Sequence, residues 1–432
     1  MRTAQVSASE VAAPRRTAPS PRRPWRTGLA AAAFLAISAV VAARTLANLN
    51  IPGQPTVERF GLQDFRDNFY YPSVALLDGR NPYDYADYHA HYPIDRPLPA
   101  YSPVSLLLHA PLALLPFGPA QIASFLLNLG LLVVLAILAV RDVGLPAEPW
   151  RVLLVAALLV LSRPGHMTLY IGQCSALMAV ACTTALMQGS RRPWVAALGL
   201  AAACAKPSYG GPLGVLMLCR GDLRAFFGGA GLAAVLGLAG GLGPLAAAGG
   251  LGPLVASVRG SMQVVATDVT FNEPTSLIRL DPVSLVGRIV GRPPGTLINV
   301  VVALLILGGA GFLMRRLRTR GEPEPRTLSN SLGCLAILLA TYHQPYDALI
   351  LALPVTALFL MPGPRGGLRA LLAFLLLVPG LNYLATFTVL ERFEINRFMW
   401  LLISESNGMA LALALILGMR LAWVRAERGF SP

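Results

Sequence analysis

The residues best suited to chemistry lie in one acidic and aromatic segment, residues 48–102. This segment holds a third of the acidic residues and seven of the twelve tyrosines of the chain. Asp64 and Asp67 are spaced i, i+3, so on a helical turn both carboxylates face the same way. A carboxylate at a dry site can act as a general base toward a sugar hydroxyl, and aromatic faces stack on sugar rings. The segment predicts a carbohydrate site; a solvated pair of acids in a loop is the alternative.

One lysine stands among the 35 basic residues of the chain, Lys206, and it interrupts an apolar stretch. An ionisable group inside a membrane segment is costly and is usually functional or paired. Lysine engages phosphate as a point charge, which predicts that Lys206 binds a phosphate group. Snorkelling of its ammonium group to the lipid headgroups is the alternative.

Further polar residues stand at the ends of apolar runs on the predicted outer side. They are His166, Gln173, Tyr342 and His343, and we expect them to share one cavity with the acidic segment. Interfacial caps with tyrosine at the headgroups are the alternative interpretation. Arg279, in the loop 248–297, is a candidate ligand for phosphate or a carboxylate.

The turn at residues 79–84 (GRNPYD) contains Tyr83, which we also assign to the substrate site. Glycine and proline at these positions are typical of a turn. His89 and His91 have no clear third ligand nearby, so no metal site is predicted. No Walker motif, dinucleotide glycine pattern or serine nucleophile elbow is present, which argues against nucleotide-driven transport and hydrolysis.

The elements that must position these residues are membrane helices. The chain has 432 residues, of which 55% are hydrophobic and 13% charged, against about 25% charged in ordinary soluble domains. Its +14 charge comes from arginines between apolar runs, as the positive-inside bias of membrane proteins requires, rather than from a nucleic-acid surface. The sequence therefore predicts an all-α, polytopic integral membrane bundle with the lipid bilayer as its partner and no nucleic acid.

Thirteen apolar runs are visible, and an even number is needed to place both termini on the cytoplasmic side. We predict about twelve spans, with eleven to thirteen as the range, and expect that 103–118 is not a full span. The arginine clusters predicted to be cytoplasmic are 191/192, 220/224, 315–320, 365/369 and 420/425/428. The predicted parts are a disordered basic cytoplasmic tail (1–26), a transmembrane domain (27–425) with the large first outer loop 48–102, and a cytoplasmic C-terminal tail (426–432).

Several short motifs occur in an order that resembles glycosyltransferase family 87 of the GT-C superfamily. The most specific is residues 75–83 (ALLDGRNPY), followed by 101–103 (YSP), Gly172 with Gln173, and Lys206 with Pro207. The polar segment 343–347 occupies the place of a late motif of that family. The resemblance extends over roughly residues 27–425.

The resemblance implies a GT-C-like bundle that transfers sugar from a polyprenyl-phosphate donor with inversion at the anomeric carbon. It implies a catalytic aspartate in the first outer loop; counting back from Gly79 leads between Asp64 and Asp67, and we favour Asp64. The expected acceptor is a glycolipid or glycan, and the sugar is mannose, with arabinose or another pentose as the alternative. No cofactor is expected, because the donor itself carries the activation energy.

The arginine preference and the alanine, leucine and glycine richness fit a GC-rich genome, typical of actinobacteria. The expected location is the bacterial plasma membrane, with a cytoplasmic N-terminus and the active site on the outer face. The rival interpretation is a transporter or lipid flippase for a glycolipid or polyprenyl-linked substrate. That rival explains the spans and Lys206, but not the acidic, tyrosine-rich segment.

Overall fold

The computed structural model confirms an all-α, multi-pass membrane architecture. It describes residues 24–52, 59–98, 101–267, 278–292, 294–318, 323–361, 366–386, 389 and 396–427. These residues form eighteen α-helices, one π-helix and one 3₁₀ helix, and they form no β-strand. Almost all of the two predicted terminal tails lies outside the described residues. Helix α1 already begins at Pro24, three residues before the predicted start of the membrane domain.

Five of the described helices are long and apolar enough to cross a bilayer. They are α1 (Pro24–Ala47), α5 (Phe117–Asp142), α11 (Leu223–Ala247), α14 (Thr296–Arg318) and α18 (Arg397–Glu427). A span needs about 20 residues at a rise of 1.5 Å per residue. Many large apolar side chains on these helices are exposed, for example Leu35 and Leu238, which suits helices whose outer faces meet lipid.

A further membrane segment, either a broken span or a re-entrant loop, consists of two helices joined at a sharp bend. Helices α6 (Pro149–Leu161) and α7 (Arg163–Ile171) meet at 72°. Ser162 lies between them and caps α7, where its hydroxyl accepts a hydrogen bond from the Gly165 amide. The fully buried Arg163 donates to the Ala385 carbonyl oxygen and ties the bend to the chain that follows α17.

Shorter apolar helices complete the membrane part of the bundle. They are α4 (Pro103–Ala113), α8 (Ser175–Gln188), α9 (Pro193–Ala203), α15 (Pro323–Ala340), α16 (Ala352–Leu360) and α17 (Gly367–Leu381). Helix α16 directly follows the 3₁₀ helix Pro345–Leu351. Helix α4 has 11 residues, too few to cross alone, as expected for this run. The described residues contain five or six helices that can cross a membrane by length and composition, so the total of about twelve spans stays a prediction.

The remaining helices lie between these spans. They are α2 (Tyr71–Leu77), α3 (Tyr85–His91), α10 (Pro207–Arg220), α12 (Leu251–Thr267), α13 (Pro282–Val290) and the π-helix Phe65–Tyr70. The described part of the first loop therefore folds back on the bundle. Its π-helix and α2 pack against α4.

Small residues let the central helices approach closely. Helix α9 packs against α8 on one side and α11 on the other. A Cβ atom at Gly199 would stand 2.6 Å from the Ala181 carbonyl oxygen, and one at Gly229 would stand 2.8 Å from the Leu200 Cβ. Glycines at such crossings are typical of membrane helices, which associate by close packing of their backbones.

Candidate active site

The carboxylate of Asp64 stands at the start of the π-helix. Two residues earlier, Leu62 has a positive φ of 56°, which is uncommon for a residue other than glycine and is concentrated at functional sites. The Leu62 amide donates to the Tyr170 carbonyl oxygen at 2.7 Å. The Gly61 amide donates to the Asn48 carbonyl oxygen at 2.8 Å. The chain before Asp64 is thus fixed to the ends of α1 and α7.

Gln173 connects Asp64 to the rest of the bundle. Its Nε2 donates to Asp64 Oδ2 at 2.8 Å, and its Oε1 accepts from the Cys174 amide at 2.9 Å and from the Tyr101 hydroxyl at 3.3 Å. Gln173 is 1% exposed, so the amide is held in one orientation. The structure therefore brings together two residues that are 109 positions apart in the sequence.

Gly172 makes this approach possible. It ends α7 with φ +74°, and a Cβ atom there would stand 2.5 Å from the Phe65 Cβ. Left-handed glycines commonly end helices in this way. The absence of a side chain at position 172 lets the residue that follows Asp64 pack directly against α7.

We expect Gly172→Ala to lower the activity of the site by about 10²-fold, because the added methyl group must push Phe65, and Asp64 with it, out of place. Gly144→Ala is the matched control: Gly144 has φ +77°, yet nothing stands within 4 Å of its Cβ position. Both variants carry the conformational strain, and only Gly172→Ala carries the clash. Equal activities of the two purified variants would contradict the role given to this contact.

Lys206 lies at the centre of a second buried cluster, where it forms an ion pair with Asp347. Lys206 is 5% exposed and Asp347 is 0% exposed. The Lys206 Nζ stands 2.8 and 2.9 Å from the two carboxylate oxygens. Asp347 also accepts hydrogen bonds from the Ser175 and Tyr209 hydroxyls, from the His343 ring and from the Gln344 amide. The expected binding of phosphate by Lys206 stays a prediction, and the ammonium group already has a carboxylate partner.

The predicted polar segment 342–347 forms the link between this cluster and Arg279. His343, fully buried, bonds through Nδ1 to Asp347 Oδ2 at 3.0 Å, and its carbonyl oxygen accepts from the Leu280 amide at 3.0 Å. This pairing holds Arg279 beside Tyr342, with the guanidinium carbon 4.8 Å from the ring centroid. The Arg279 Nε donates to Asp281 at 2.9 Å.

Asp67 is enclosed on every side. It is 0% exposed, its Oδ1 accepts from the Arg66 Nε at 2.7 Å, and its Oδ2 accepts from the Asp95 amide at 3.2 Å. Arg66 also bonds Asp95 at 2.7 Å. Burial raises the pKa of Asp67 to about 6, and the bond from Arg66 acts in the opposite direction. The contacts among Arg66, Asp67 and Asp95 join the start and the end of the first loop.

Two residues assigned to the substrate site have internal partners. The buried Tyr83 donates from its hydroxyl to the Tyr101 carbonyl oxygen at 3.0 Å. His166 stands beside α1, with its Nε2 at 2.8 Å from an Arg44 nitrogen. In the described chain, no hydrogen bond joins His166 to Asp64 or Asp347. Contact of Tyr83 and His166 with a substrate stays a prediction.

The charge of Asp64 is set by burial and by its neighbours. Burial raises the pKa of Asp64, while Arg96, the Gln173 hydrogen bond and Lys206 act to lower it. Asp64 is 8% exposed. Its Oδ1 accepts no hydrogen bond from the described residues and keeps contact with open space. Asp64 therefore has one oxygen held by Gln173 and one oxygen available to a ligand.

The two histidines considered for a metal lie apart from this site. His91 bonds the Asp87 carbonyl oxygen, and His89 packs near the Tyr85 ring. Among the residues that the structure describes, no group of three or more His, Cys, Asp or Glu side chains is arranged to hold a metal ion.

Sequence reasoning missed the partners that join these candidates into one site. The sequence indicates Asp347 only as part of a polar segment and Tyr101 only as part of the motif 101–103, and it does not single out Arg96, Ser175 or Tyr209. For Asp347 a signal exists, because a lysine within apolar sequence calls for a carboxylate partner. For Tyr209 and Ser175 there is none, since isolated hydroxyls are common in membrane helices.

The fold and the site combine a multi-pass membrane architecture with a buried carboxylate near cationic side chains. A family model, glycosyltransferase family 87, matches residues 100–341. The match covers more than half of the chain, and the protein belongs to this family of membrane glycosyltransferases. The matched residues include Gln173, Lys206 and Arg279, whereas Asp64 precedes them. Among curated proteins, a sequence comparison finds no match to the chain.

Proposed function

We propose that the protein transfers a sugar, most simply mannose, from a polyprenyl-phosphate donor to a hydroxyl group of a glycolipid or glycan acceptor. The reaction is a single displacement on the outer face of the plasma membrane, with Asp64 as the general base. Arabinose or another pentose is the alternative sugar. No nucleotide or cofactor takes part, because the phosphate ester of the donor is itself the activated bond.

The observation that carries the proposal is the difference between the two aspartates. Asp64 has an oxygen that no described residue bonds, whereas both oxygens of Asp67 accept hydrogen bonds inside the loop. A general base must reach the proton that it removes at hydrogen-bond distance. This contrast supports Asp64 as the base and Asp67 as a structural residue.

The cations near Asp64 and Tyr342 suit a donor with a phosphate group. Arg96 is half-buried and acts electrostatically on Asp64. Arg279 stands against Tyr342, whose ring is also close enough to Asp64 to be affected by its charge. Guanidinium groups bind phosphate through paired hydrogen bonds. We assign the donor phosphate to Arg279 and Arg96, while Lys206 is the partner of Asp347.

The acceptor hydroxyl gives its proton to Asp64, and its oxygen forms a bond to the anomeric carbon from the face opposite the phosphate. The bond from that carbon to the phosphate oxygen breaks, and its electron pair leaves with the polyprenyl phosphate. The arginines stabilise the negative charge that grows on this leaving group. A single displacement inverts the anomeric carbon.

The test is transfer by the purified protein in liposomes. The protein is incubated with polyprenyl-phosphate mannose, the arabinose analogue or a nucleotide sugar, together with a membrane glycolipid extract as acceptor. Mass analysis then detects a product heavier by one sugar. We expect product from a lipid-phosphate donor alone. Product from the nucleotide sugar alone, or movement of lipid across the bilayer without bond formation, would overturn the proposal.

The proposal predicts a specific pH dependence. A base works in its ionised form, so kcat/KM falls as the pH drops through the pKa of Asp64, which burial holds above its ordinary 3.8. Gln173→Met removes a hydrogen bond that favours the ionised form, and we expect the acid limb of the pH–rate profile to move to higher pH. Gln188→Met, at the far end of α8, is the control and should keep the wild-type profile. An unmoved limb in Gln173→Met would show that another group titrates.

A further inference from the structure

A cavity of about 320 Å³ lies between α15, α16, α17 and α18. It is separate from the candidate active site, although the same helices reach both. Along α15, Thr327 borders the cavity, whereas Ala340 precedes the segment that contains His343 and Asp347. At 1.5 Å per residue these two ends stand about 20 Å apart. The Thr327 end of the cavity therefore lies far from Asp347, while its other end extends along α15 to Leu335.

The wall of this cavity suits a hydrocarbon chain. Apart from a few hydroxyl and guanidinium groups near one end, it consists of apolar side chains and glycines, among them Leu335, Leu372 and Ala414. Leu368 at the rim is 43% exposed, so the cavity opens at the surface of the bundle. Along α18 the wall extends from Ala414 to Arg425, which is about 16 Å of helix.

The charge of the cavity lies at one end. Arg369 and Arg425 border it there, and no Asp or Glu stands among the described residues that line it. Arg369 is held in place by bonds from its guanidinium group to the carbonyl oxygens of Leu358 and Met361. The N-terminal turn of α17 lies at the same end and adds the positive pole of its helix dipole. Both arginines belong to the clusters that the sequence assigns to the cytoplasmic side.

We propose that this cavity binds one acyl chain of an anionic glycerophospholipid of the cytoplasmic leaflet, whose phosphate group contacts Arg425 and Arg369. Basic pockets between membrane helices on that side recognise anionic headgroups. The occupant is not the sugar donor, because a headgroup held at the arginines stands at the opposite end of the bundle from Asp64. The site is a lipid-binding site additional to the active site and does not depend on the proposed reaction.

The test is native mass spectrometry of the full-length protein after removal of bound lipid. The probes are palmitoyl-oleoyl phosphatidylglycerol and palmitoyl-oleoyl phosphatidylcholine, which share their chains and differ in headgroup charge. We expect one tightly bound phosphatidylglycerol per protein and binding of phosphatidylcholine that is weaker by about tenfold, the value of one charge-assisted hydrogen bond. Equal binding of the two lipids would overturn the proposal.

Two variants test separately the contributions of the arginine charge and of the cavity volume to lipid binding. Arg425→Gln removes one cation, and Ala357→Phe fills the cavity without changing its charge; both should weaken phosphatidylglycerol binding by about tenfold or more. Arg420→Gln, an exposed arginine on the same helix that does not line the cavity, is the matched control and should bind as the wild type does. Undiminished binding in Ala357→Phe would overturn the proposal. So would displacement of phosphatidylglycerol by a polyprenyl phosphate at equal concentration.

Discussion

Asp64→Asn should lower the rate of sugar transfer by about 10²–10⁴-fold, the contribution of a general base, while the protein stays folded. The asparagine has the same shape and can still accept the hydrogen bond from Gln173 through its amide oxygen. It cannot take a proton from the acceptor hydroxyl. The measurement is the single-turnover rate with a lipid-phosphate sugar, together with the melting temperature of the same preparation.

The neighbouring aspartates provide the controls. Asp67→Asn removes a charge from the trio with Arg66 and Asp95, so we expect a lower melting temperature with a transfer rate much closer to wild type. Asp87→Asn removes a charge from the ion pair with Arg80, whose side chains are both 38% exposed. Exposed ion pairs contribute little to stability. A transfer rate that falls more in Asp67→Asn than in Asp64→Asn would reverse the assignment of the base.

Lys206→Met should lower the free energy of unfolding by about 3–5 kcal/mol, because it leaves the fully buried Asp347 without its cation. The loss is large for a single side chain because the carboxylate remains inside the protein with only neutral donors and a histidine. Thermal unfolding in detergent, followed by tryptophan fluorescence, measures the effect. Arg224→Met, which removes an exposed cation from α11, should unfold near the wild-type temperature.

A double variant tests the pairing itself. Asp347→Asn removes the buried charge while the amide oxygen can still accept from Ser175 and Tyr209. We therefore expect Lys206→Met combined with Asp347→Asn to be more stable than Lys206→Met alone. Simple addition of the two single effects would contradict the ion pair, because residues in direct contact couple by about 0.5–3 kcal/mol.

The architecture was predictable where it depends on composition. The few charges and the arginines between apolar runs suffice for an all-α multi-pass protein. The number of spans was harder to predict, because an apolar run does not show where a helix breaks. Residues 151–170 look like one span, yet Ser162 ends one helix and caps the next, with a bend of 72°. Helix α4 shows the same limit, since its 11 residues are apolar but too few to cross.

Individual residues of the site were predictable from the sequence, but the contacts between them were not. Asp64, Gln173 and Lys206 were all named from residue type, spacing and motif order. The pairing of Lys206 with Asp347 joins residues 141 positions apart, and no local pattern encodes such a contact. The difference between Asp64 and Asp67 depends on Arg66 and the Asp95 amide, which close around Asp67 only in the folded loop.

The long separation between Lys206 and Asp347 also has a consequence for biosynthesis. The ribosome adds about 5–20 residues per second, so Lys206 leaves it about 7–28 s before its counter-charge has been made. During that interval the nascent chain carries an unpaired ammonium group next to apolar helices. The ion pair of Lys206 cannot form until residue 347 has been made, and a chain truncated before that residue should be a substrate for membrane quality control.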